Sequence, residues 1–439
     1  MPFSSSVVRA AVALVCTAPE GGDSQCLPMW TMPPPRLFRS RSRLGVRALR
    51  WIPAGGTRNG GKRVPNGCTA LSYAPAPRAS MTEALLSATV PVFLVDGETK
   101  GELARDIVRL VIEEATDGLK TLRARFLAVG PMADKAEEPL LYLDGALFDF
   151  GRELQVSIGP GEVARTIFKG AISAIEANFE ETREPEIVVY AEDKLMDLRM
   201  TRHTRTYEAM SDAEIAEEIA AGHGINSEVD VDGPSYDVVQ QWNLSDLAFL
   251  RERARLIQAE VWFQGDTMYF KSRGQRSATE LTLVQDNHIL ALQARADLAH
   301  QRTAVRVSGY DAHDRDVIDE EAGGEAIEAE IDGGRTGPGI LQNAFGARVS
   351  HRVQAMPLND REAAGWAQAE MLRRARAFVQ VSGVTRGSAD MVVASRLTLQ
   401  RVGRPFEGGG YYVTRVCHTY DLAEGFRTRF EAERPTIEG

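Results

Sequence analysis

Short segments in which apolar residues alternate with other residues recur along most of the chain, and this period of two restricts the fold more than any other feature. They occupy 90–190, where Leu122–Leu127 and Leu154–Ile158 are examples, and they are separated by Gly, Pro or Asp. They return after Leu281 and continue to Glu433. Many short strands at this spacing indicate a β-barrel or a β-sandwich.

The period changes between 205 and 272, which predicts a small module of helices and strands. Ser211 and Glu214 have the spacing of a capping box, and the helix that they start is expected to end at Gly222–His223–Gly224. A second helix is expected to begin near Ser245, with apolar residues at three- and four-residue spacing.

Two further patterns complete this module. The basic run 251–255 lies mostly off the apolar stripe, so we interpret it as the solvent face of the second helix rather than as a nucleic-acid contact. Val261–Phe263 and Met268–Lys271 flank a short polar turn, which predicts a hairpin.

Two segments within the second strand-rich region, 281–433, lack the alternating pattern of strands. Residues 311–339 are acidic and then rich in Gly, which predicts a long exposed loop. Asn359 and Glu362 have N-cap spacing, so a helix is expected over 359–378.

The first 80 residues differ in composition from the remainder. They carry 11 basic and 2 acidic residues, whereas the other 359 residues carry 40 basic and 59 acidic residues, a net charge of −19. A basic, Pro- and Gly-rich segment buries too little apolar surface to offset its ordering entropy. We interpret 1–80 as a disordered extension that is not native, produced by a start placed upstream of Met81; a chain beginning at Met81 should then assemble like the full chain.

Other interpretations of this extension stay open. Val7–Cys16 is a short apolar run of the kind found in secretory signals, although no basic residue precedes it. Arg36–Arg63 has the composition of a transit peptide or a nucleic-acid arm. After Met81 the chain holds one thiol, Cys417, which fits a reducing compartment and requires no disulfide.

The strongest motif for an enzyme is Gly159-x-Gly161-x-x-Ala164, which matches a dinucleotide-binding pattern. A Rossmann site requires a helix after the glycines. The residues that follow, 165–175, are rich in β-branched side chains, so a hairpin turn explains the glycines equally well.

The candidate metal and nucleophile motifs are incomplete. Glu228-x-Asp230-x-Asp232 resembles the start of a calcium loop, but the position that needs a bidentate Glu is Val239. We therefore predict no metal at this cluster, nor at Asp286, Asp311 and His313. Cys417 and His418 are adjacent in a strand and are expected to face opposite sides.

These observations predict no catalytic, cofactor-binding or metal-binding residue, and no enzyme. We call residues 81–439 the body of the chain. Nucleic-acid binding is not expected, because the body is acidic and its basic residues are interleaved with acidic ones. Membrane insertion is not expected either, since no run approaches the roughly 18 apolar residues of a spanning helix.

The order of the motifs resembles one known family. YEAMSDAEIA at 207–216 is followed by WNLSDLAFLRERA at 242–254, by the VWF and MYF hairpin, and by a last hairpin at Tyr411–Arg434. This arrangement, over Met81 to Arg434, is similar to the phage late control D family and to the hub half of type VI secretion spike proteins. Both are baseplate hubs of contractile injection systems.

The resemblance implies an α+β fold: two tail-tube-like β-barrel domains with a small α/β module between them. It places a first barrel region at 81–200, the α/β module at 201–275 and a second barrel region at 276–439. The implied protein is a structural baseplate hub of a contractile phage-tail-like particle, which joins a hexameric inner tube to a trimeric spike.

The implied partners follow from this role. They are two further copies in a homotrimer, the inner tube protein, a separate spike protein and other baseplate components. Assembly would take place in the cytoplasm, after which the protein is part of the particle. The acid excess of the body would suit a negatively charged channel, although an acidic soluble surface explains it equally well.

Two other functions remain as alternatives. One is a cell-wall-degrading tail protein with a site in the α/β module. The other is a glycan-binding tail protein that uses Trp242, Trp262 and Phe263, although aromatic residues in periodic patterns more often belong to a core.

Overall fold

The computed structural model describes residues 90–130, 140–159, 164–331, 333–352 and 356–438. The prediction for 1–80 therefore lies outside the described residues. All described residues belong to one compact unit. None of the helices in these ranges has the length and apolar character needed to cross a bilayer.

The strands make up most of the regular structure. In chain order they are β1 (Val92–Val95), β2 (Glu98–Thr99), β3 (Ile107–Ala115), β4 (Thr121–Leu127), β5 (Glu153–Ile158), β6 (Arg165–Asn178), β7 (Glu186–Glu192), β8 (Arg202–Ser211), β9 (Asn226–Asp230), β10 (Ser235–Ser245), β11 (Ala259–Gln264), β12 (Thr267–Ser272), β13 (Glu280–Val284), β14 (Ile289–Ala296), β15 (Ala304–Asp311), β16 (Asp316–Gly323), β17 (Arg335–Thr336), β18 (Val349–Arg352), β19 (Val379–Arg386), β20 (Arg396–Gln400), β21 (Gly408–Asp421), β22 (Gly425–Arg434) and β23 (Thr436–Ile437).

The helices are fewer and mostly short. They are α1 (Gly101–Asp106), α2 (Asp212–Gly222), α3 (Asp246–Ile257), α4 (Glu325–Glu328), α5 (Gly337–Phe345) and α6 (Asp360–Arg376), with 3-10 helices at Lys194–Arg199 and Arg273–Gln275.

A 13-stranded sheet runs through both strand-rich regions. Its main path is β14-β19-β22-β21-β3-β4-β7-β6-β5-β1-β2, with antiparallel neighbours throughout. β20 joins it beside β21, and β13 pairs in parallel with β20. The two regions meet where β3 pairs with β21, with Val111 opposite Thr419. The fold is thus mostly β, and one mostly antiparallel sheet connects the beginning and the end of the described chain.

Each half of this sheet covers its own apolar core. The first core contains Phe93, Leu110, Phe126 and Phe168 and lies under β1 to β7. Tyr420 and Phe426, from β21 and β22, also belong to it. We call this half the first lobe.

The second core lies under β13, β14 and β19 to β22, and we call this half the second lobe. It contains Val381, Leu397, Tyr411 and Phe430. Two cores under one continuous sheet are compatible with the expected pair of barrel regions, but the strand pairing does not divide the sheet into two closed barrels.

The α/β module forms as its capping signals predict. Ser211 Oγ accepts from the backbone N–H of Glu214, and the Glu214 carboxylate accepts from the backbone N–H of Ser211 at 2.7 Å. Ser245 caps α3 through the N–H of Ala248. β11 and β12 form the expected hairpin, with Trp262 opposite Tyr269.

The core of this module extends beyond 201–275. Ile215, Leu250 and Phe270 pack with Ile318 of β16 and Trp366 of α6. The module therefore shares its apolar core with elements from the later part of the chain.

The prediction of an exposed loop at 311–339 is wrong for most of that segment. Residues 316–323 form β16, which pairs with β15 along its whole length. Ile318 is buried, while outward-facing Glu321 pairs with Arg306, so alternation across a hairpin explains the acidic residues. Ile327 of α4 is also buried, against Leu372 of α6.

The interpretation of 251–255 as a solvent face is also wrong in part. Arg253 is buried and pairs with Asp212 of α2, and its guanidinium lies over the Tyr236 ring at 4.3 Å. Arg251 donates to the carbonyls of Asp117 and Gly118. The charged groups of α3 therefore dock the helix against α2 and the first lobe.

Candidate binding site: an arginine-lined cavity beside a buried charge network

A network of buried charges lies where the two lobes meet the α/β module. Glu114 of β3, Lys120, Glu260 of β11, Arg276 and Tyr412 of β21 form it, and we call these five residues the junction. Their positions follow from the sheet: β3 and β21 are neighbours, and the hairpin β11/β12 leads directly to Arg276.

Arg276 is the central residue of the junction. Its Nη2 donates to Glu114 Oε1 at 2.7 Å and its Nη1 donates to Glu260 Oε2 at 3.1 Å. The same guanidinium lies over the Trp262 ring at 4.4 Å. Glu260 Oε2 also accepts from the Tyr412 hydroxyl at 2.8 Å. One cation thus connects the first lobe, the module and the second lobe.

Each buried carboxylate of the junction has more than one partner. Burial alone would raise the pKa of Glu114, but Lys120 at 2.8 Å and Arg276 hold that pKa below its ordinary value. Burial, followed by the charge of Glu260, raises the pKa of the Tyr412 hydroxyl. Satisfied ionic groups of this kind fix how the parts of a fold are arranged.

Two titratable groups beside the junction have strongly shifted pKa values. His418 lines a small cavity with Glu114 and Lys120, and burial lowers its pKa to about 4. Its Nδ1 is 3.0 Å from Thr428 Oγ1. Asp193 accepts from the N–H groups of Lys120 and Leu195, yet burial raises its pKa to about 7.

A cavity of about 680 Å³ opens beside the junction, on the side of the second lobe. Four arginines line it, together with Tyr412, several glycines and three glutamates, and we call it the arginine cavity. The arginines are Arg273, Arg376, Arg396 and Arg434.

Three of these arginines are engaged by the fold. Arg273 pairs with Glu433 of β22, and Arg376, at the end of α6, makes a two-point contact with Glu330. Arg434 donates to backbone carbonyls, including those of Pro405 at 2.9 Å and Glu407 at 2.8 Å.

Arg396 differs from the other three. It is exposed in the cavity, and no ion pair or hydrogen bond of its side chain is found in the described part of the chain. Its guanidinium lies over the Tyr412 ring at 4.7 Å, and that of Arg273 lies over the same ring at 3.8 Å. Partial desolvation by the cavity walls, and then repulsion by Arg273, lowers the pKa of Arg396.

A second polar cluster lies in the α/β module. Asp246, at the start of α3, is buried, and its Oδ2 lies 2.8 Å from His223 Nε2 and 3.6 Å from His203 Nε2. Its Oδ1 accepts from Gln241 Nε2 at 2.8 Å. The sequence pattern gave no sign that these residues are close together, because His203 on β8 and His223 after α2 are 20 positions apart. The cluster positions the ends of two helices.

The motifs singled out in the sequence lie apart from the cavity. Gly159 follows β5, with φ +121°, and residues 160–163 lie outside the described residues. Where a Rossmann site needs a helix, the chain has the strand β6, which pairs with β5. Glu228 lies on β9 and pairs with Lys271. Among the described residues, no group of three or more His, Cys, Asp or Glu side chains has a metal-binding arrangement.

The remaining candidates occupy ordinary strand positions. Cys417 and His418 face opposite sides of β21, as expected, and burial followed by Glu113 raises the pKa of the Cys417 thiol to about 11. Trp262 is buried, and Phe263 packs against the core of the module. Trp242 is exposed and donates to Gln240 within its own strand.

Two solved structures share this fold. The 43 kDa tail protein of prophage MuSo2 from Shewanella oneidensis aligns with a TM-score of 0.57 at 12% identity, over 79% of this chain and 99% of that chain. A tail protein from Neisseria meningitidis MC58 aligns with a TM-score of 0.55 at 10% identity, over 79% of this chain and 96% of that chain. At such identities the likeness shows the fold alone.

The sequence comparisons give a separate result. A search of curated proteins finds no match to this chain. A family model described as the Alg8 N-terminal domain matches residues 106–421, which is not the late control D family that the sequence motifs resemble. The two structural alignments show that the protein shares a fold with these tail proteins. The family match runs from the end of α1 through β21 and covers more than two thirds of the chain, so the protein belongs to the Alg8 N-terminal domain family.

Proposed function

We propose that this protein is a structural component of a phage-tail-like particle and acts as its baseplate hub, of the late control D kind, between a hexameric inner tube and a trimeric spike. The observation that carries the proposal is the continuous antiparallel sheet with two separate cores. The fold that it shares with two tail proteins over nearly their whole lengths supports a tail-like role.

The symmetry of the proposed assembly follows from the two lobes. In the proposal each lobe is one tube-like barrel region, so three chains present six comparable surfaces to a sixfold ring. Closed cyclic assembly also prevents open polymerisation. The proposed partners are two further copies, the tube protein, the spike protein and other baseplate components, brought together in the cytoplasm before the particle is complete.

The outward face of the shared sheet is the proposed contact surface. Arg109 and Arg125 are directly opposite each other on β3 and β4, and with Arg123 and Tyr190 they line a groove of about 500 Å³. Like charges in facing positions destabilise a sheet unless they are compensated. Glu186 of β7 compensates Arg125 at 3.4 Å, whereas no ion pair of Arg109 is found in the described part of the chain. Since the body is strongly acidic, this basic groove is suited to an acidic surface on the next subunit or on the tube protein.

The proposed role includes no catalysis. The charged groups with the most perturbed surroundings, those of the junction, are engaged with one another and connect parts of the fold. The contact of Asp246 with His223 likewise positions helix ends. Purified protein should therefore release no fragments from peptidoglycan, whereas turnover in that assay would favour the cell-wall-degrading alternative.

Light scattering during size-exclusion chromatography tests the proposed assembly. The full chain, alone or with the proposed spike and tube proteins, should elute as a trimer or as a larger complex of trimers. The double variant R109E/R125E should assemble less well while keeping its far-UV circular dichroism spectrum. Arg361→Glu, an exposed charge reversal on α6, is the matched control. A chain that stays monomeric with both partners present would contradict the hub assignment.

A further inference from the structure

Of the four arginines in the arginine cavity, two hold carboxylates, Arg434 holds backbone carbonyls, and Arg396 is open; the Glu438 side chain also lines the cavity. The carboxylates of Glu330 and Glu433 already lie on Arg376 and Arg273. Arg396 faces the same space without a carboxylate from the described part of the chain. The ion pairs of Arg376 and Arg273 are thus two examples of a carboxylate bound by an arginine in this cavity.

The surroundings of Arg396 favour an added anion. Tyr412 holds both Arg396 and Arg273 against its ring, so the two like charges are kept near each other. The lowered pKa of Arg396 reflects partial desolvation first and this repulsion second. An anion bound to Arg396 would offset that repulsion, and a guanidinium can bind a carboxylate through two parallel hydrogen bonds.

The size and walls of the cavity indicate the kind of ligand. About 680 Å³ is within the usual range for clefts that bind small ligands, and it exceeds what a single small ion fills. Gly333, Gly334, Gly409 and Gly410 are exposed and form part of the wall, so no side chains cover the backbone groups there, although the Gly409 carbonyl already accepts from Arg434 at 3.2 Å. An extended peptide can use such groups while one of its side chains reaches Arg396.

We propose that the arginine cavity binds an acidic peptide segment of a partner protein, with one of its carboxylates on Arg396. The peptide is preferred over a free anion because the cavity combines a cationic position with accessible backbone on its walls. A body with a net charge of −19 attracts an acidic segment only where cations are concentrated in this way. The inference does not depend on the hub assignment.

Fluorescence anisotropy with labelled hexaglutamate at low ionic strength tests this site on the full chain. Hexaglutamate should bind the unmodified protein, and labelled hexaglutamine should not. Arg396→Ala should weaken binding about tenfold, as expected for a lost hydrogen bond to a charged group. Arg361→Ala, an exposed arginine on α6, should leave the affinity unchanged, and circular dichroism should show that both variants are folded.

Each other outcome contradicts the proposal. Equal affinity of the Arg396→Ala variant and the unmodified protein would show that the peptide binds elsewhere. Binding of inorganic phosphate without binding of hexaglutamate would show an anion site of a different class. Absence of hexaglutamate binding to the folded, unmodified protein would show that the open position at Arg396 has no such ligand.

Discussion

The junction and the arginine cavity share Tyr412, yet they use arginine in opposite ways. In the junction, Arg276 is buried and bonded to two carboxylates from different parts of the fold. In the cavity, Arg396 is exposed and has no carboxylate partner among the described residues. The same side chain therefore serves architecture in one place and remains available to a ligand in the other.

The difference shows how to separate structural charges from binding charges in a protein with many arginines. A buried cation with two anionic partners cannot be removed without leaving carboxylates uncompensated, which costs several kcal/mol. An exposed cation beside other cations costs the fold little when it is removed. The following predictions test this distinction.

Replacing Arg276 should have the largest effect. Arg276→Met keeps much of the apolar bulk but leaves Glu114 with Lys120 alone and Glu260 with Tyr412 alone. We expect the free energy of unfolding to fall by about 3–5 kcal/mol, as when one partner of a buried ion pair is removed. Urea denaturation followed by circular dichroism measures it. Arg255→Met, at an exposed position on α3, is the control; equal midpoints for the two variants would refute the structural role of the junction.

Acid should weaken the region around the junction through His418. Its pKa is about 4 in the folded protein and 6.5 as an ordinary value, so between these pH values the unfolded chain binds more protons. The stability contributed by neutral His418 is therefore present above pH 6.5 and is lost as the pH falls toward 4, by about 3 kcal/mol in total.

The His418→Gln variant isolates that contribution. Its unfolding midpoint should depend less on pH between 6.5 and 4 than that of the unmodified protein. His313→Gln, at an exposed turn, should retain the original pH dependence. Identical pH profiles for His418→Gln and the unmodified protein would assign the acid sensitivity to other groups.

Arg273 should have an intermediate effect, because it belongs to the cavity but has a partner. Arg273→Ala removes the ion pair with Glu433 and the contact with the Tyr412 ring. We expect a loss of about 2 kcal/mol in unfolding free energy. In thermal unfolding, the loss of stability of this variant should lie between those of Arg276→Met and Arg396→Ala. A loss as large as that of Arg276→Met would show that Arg273 is as important to the fold as the junction residues.

Arg396 should have the smallest effect on stability. Arg396→Ala should change the unfolding free energy by no more than about 1 kcal/mol, because it removes an exposed cation–π contact with Tyr412 and no ion pair. Chemical denaturation at neutral pH measures it. A loss above that of Arg273→Ala would show that Arg396 is structural after all and would remove the contrast with Arg276.

The local parts of the fold follow from the sequence, whereas the contacts that define the site do not. Ser211 with Glu214, Ser245, and Asn359 with Glu362 mark helix starts because capping acts within four residues. Pairing of β3 with β21 joins residues about 300 positions apart, and no local pattern encodes it.

The wrong predictions have the same physical origin. The acidic composition of β16 predicts a loop, but β15 supplies a strand partner and Arg306 a counter-charge. Arg253 belongs to a charged run that suggests solvent, but Asp212 from another helix accompanies it into the interior. Tertiary partners override composition in both cases, and Arg276 could not be distinguished from other arginines for the same reason.

The pairing of β3 with β21 also has a consequence for synthesis of the chain. The first core is incomplete until Tyr420 and Phe426 are added, and Glu113 on β3 contacts Arg415, 302 residues later. At the usual rate of translation, a separation of this size corresponds to roughly 15–60 s during which β3 has emerged without its neighbour. The first half of the protein therefore depends on a last segment that the ribosome has not yet made, and the unpaired edge of β3 is the surface that chaperones would need to protect during that interval.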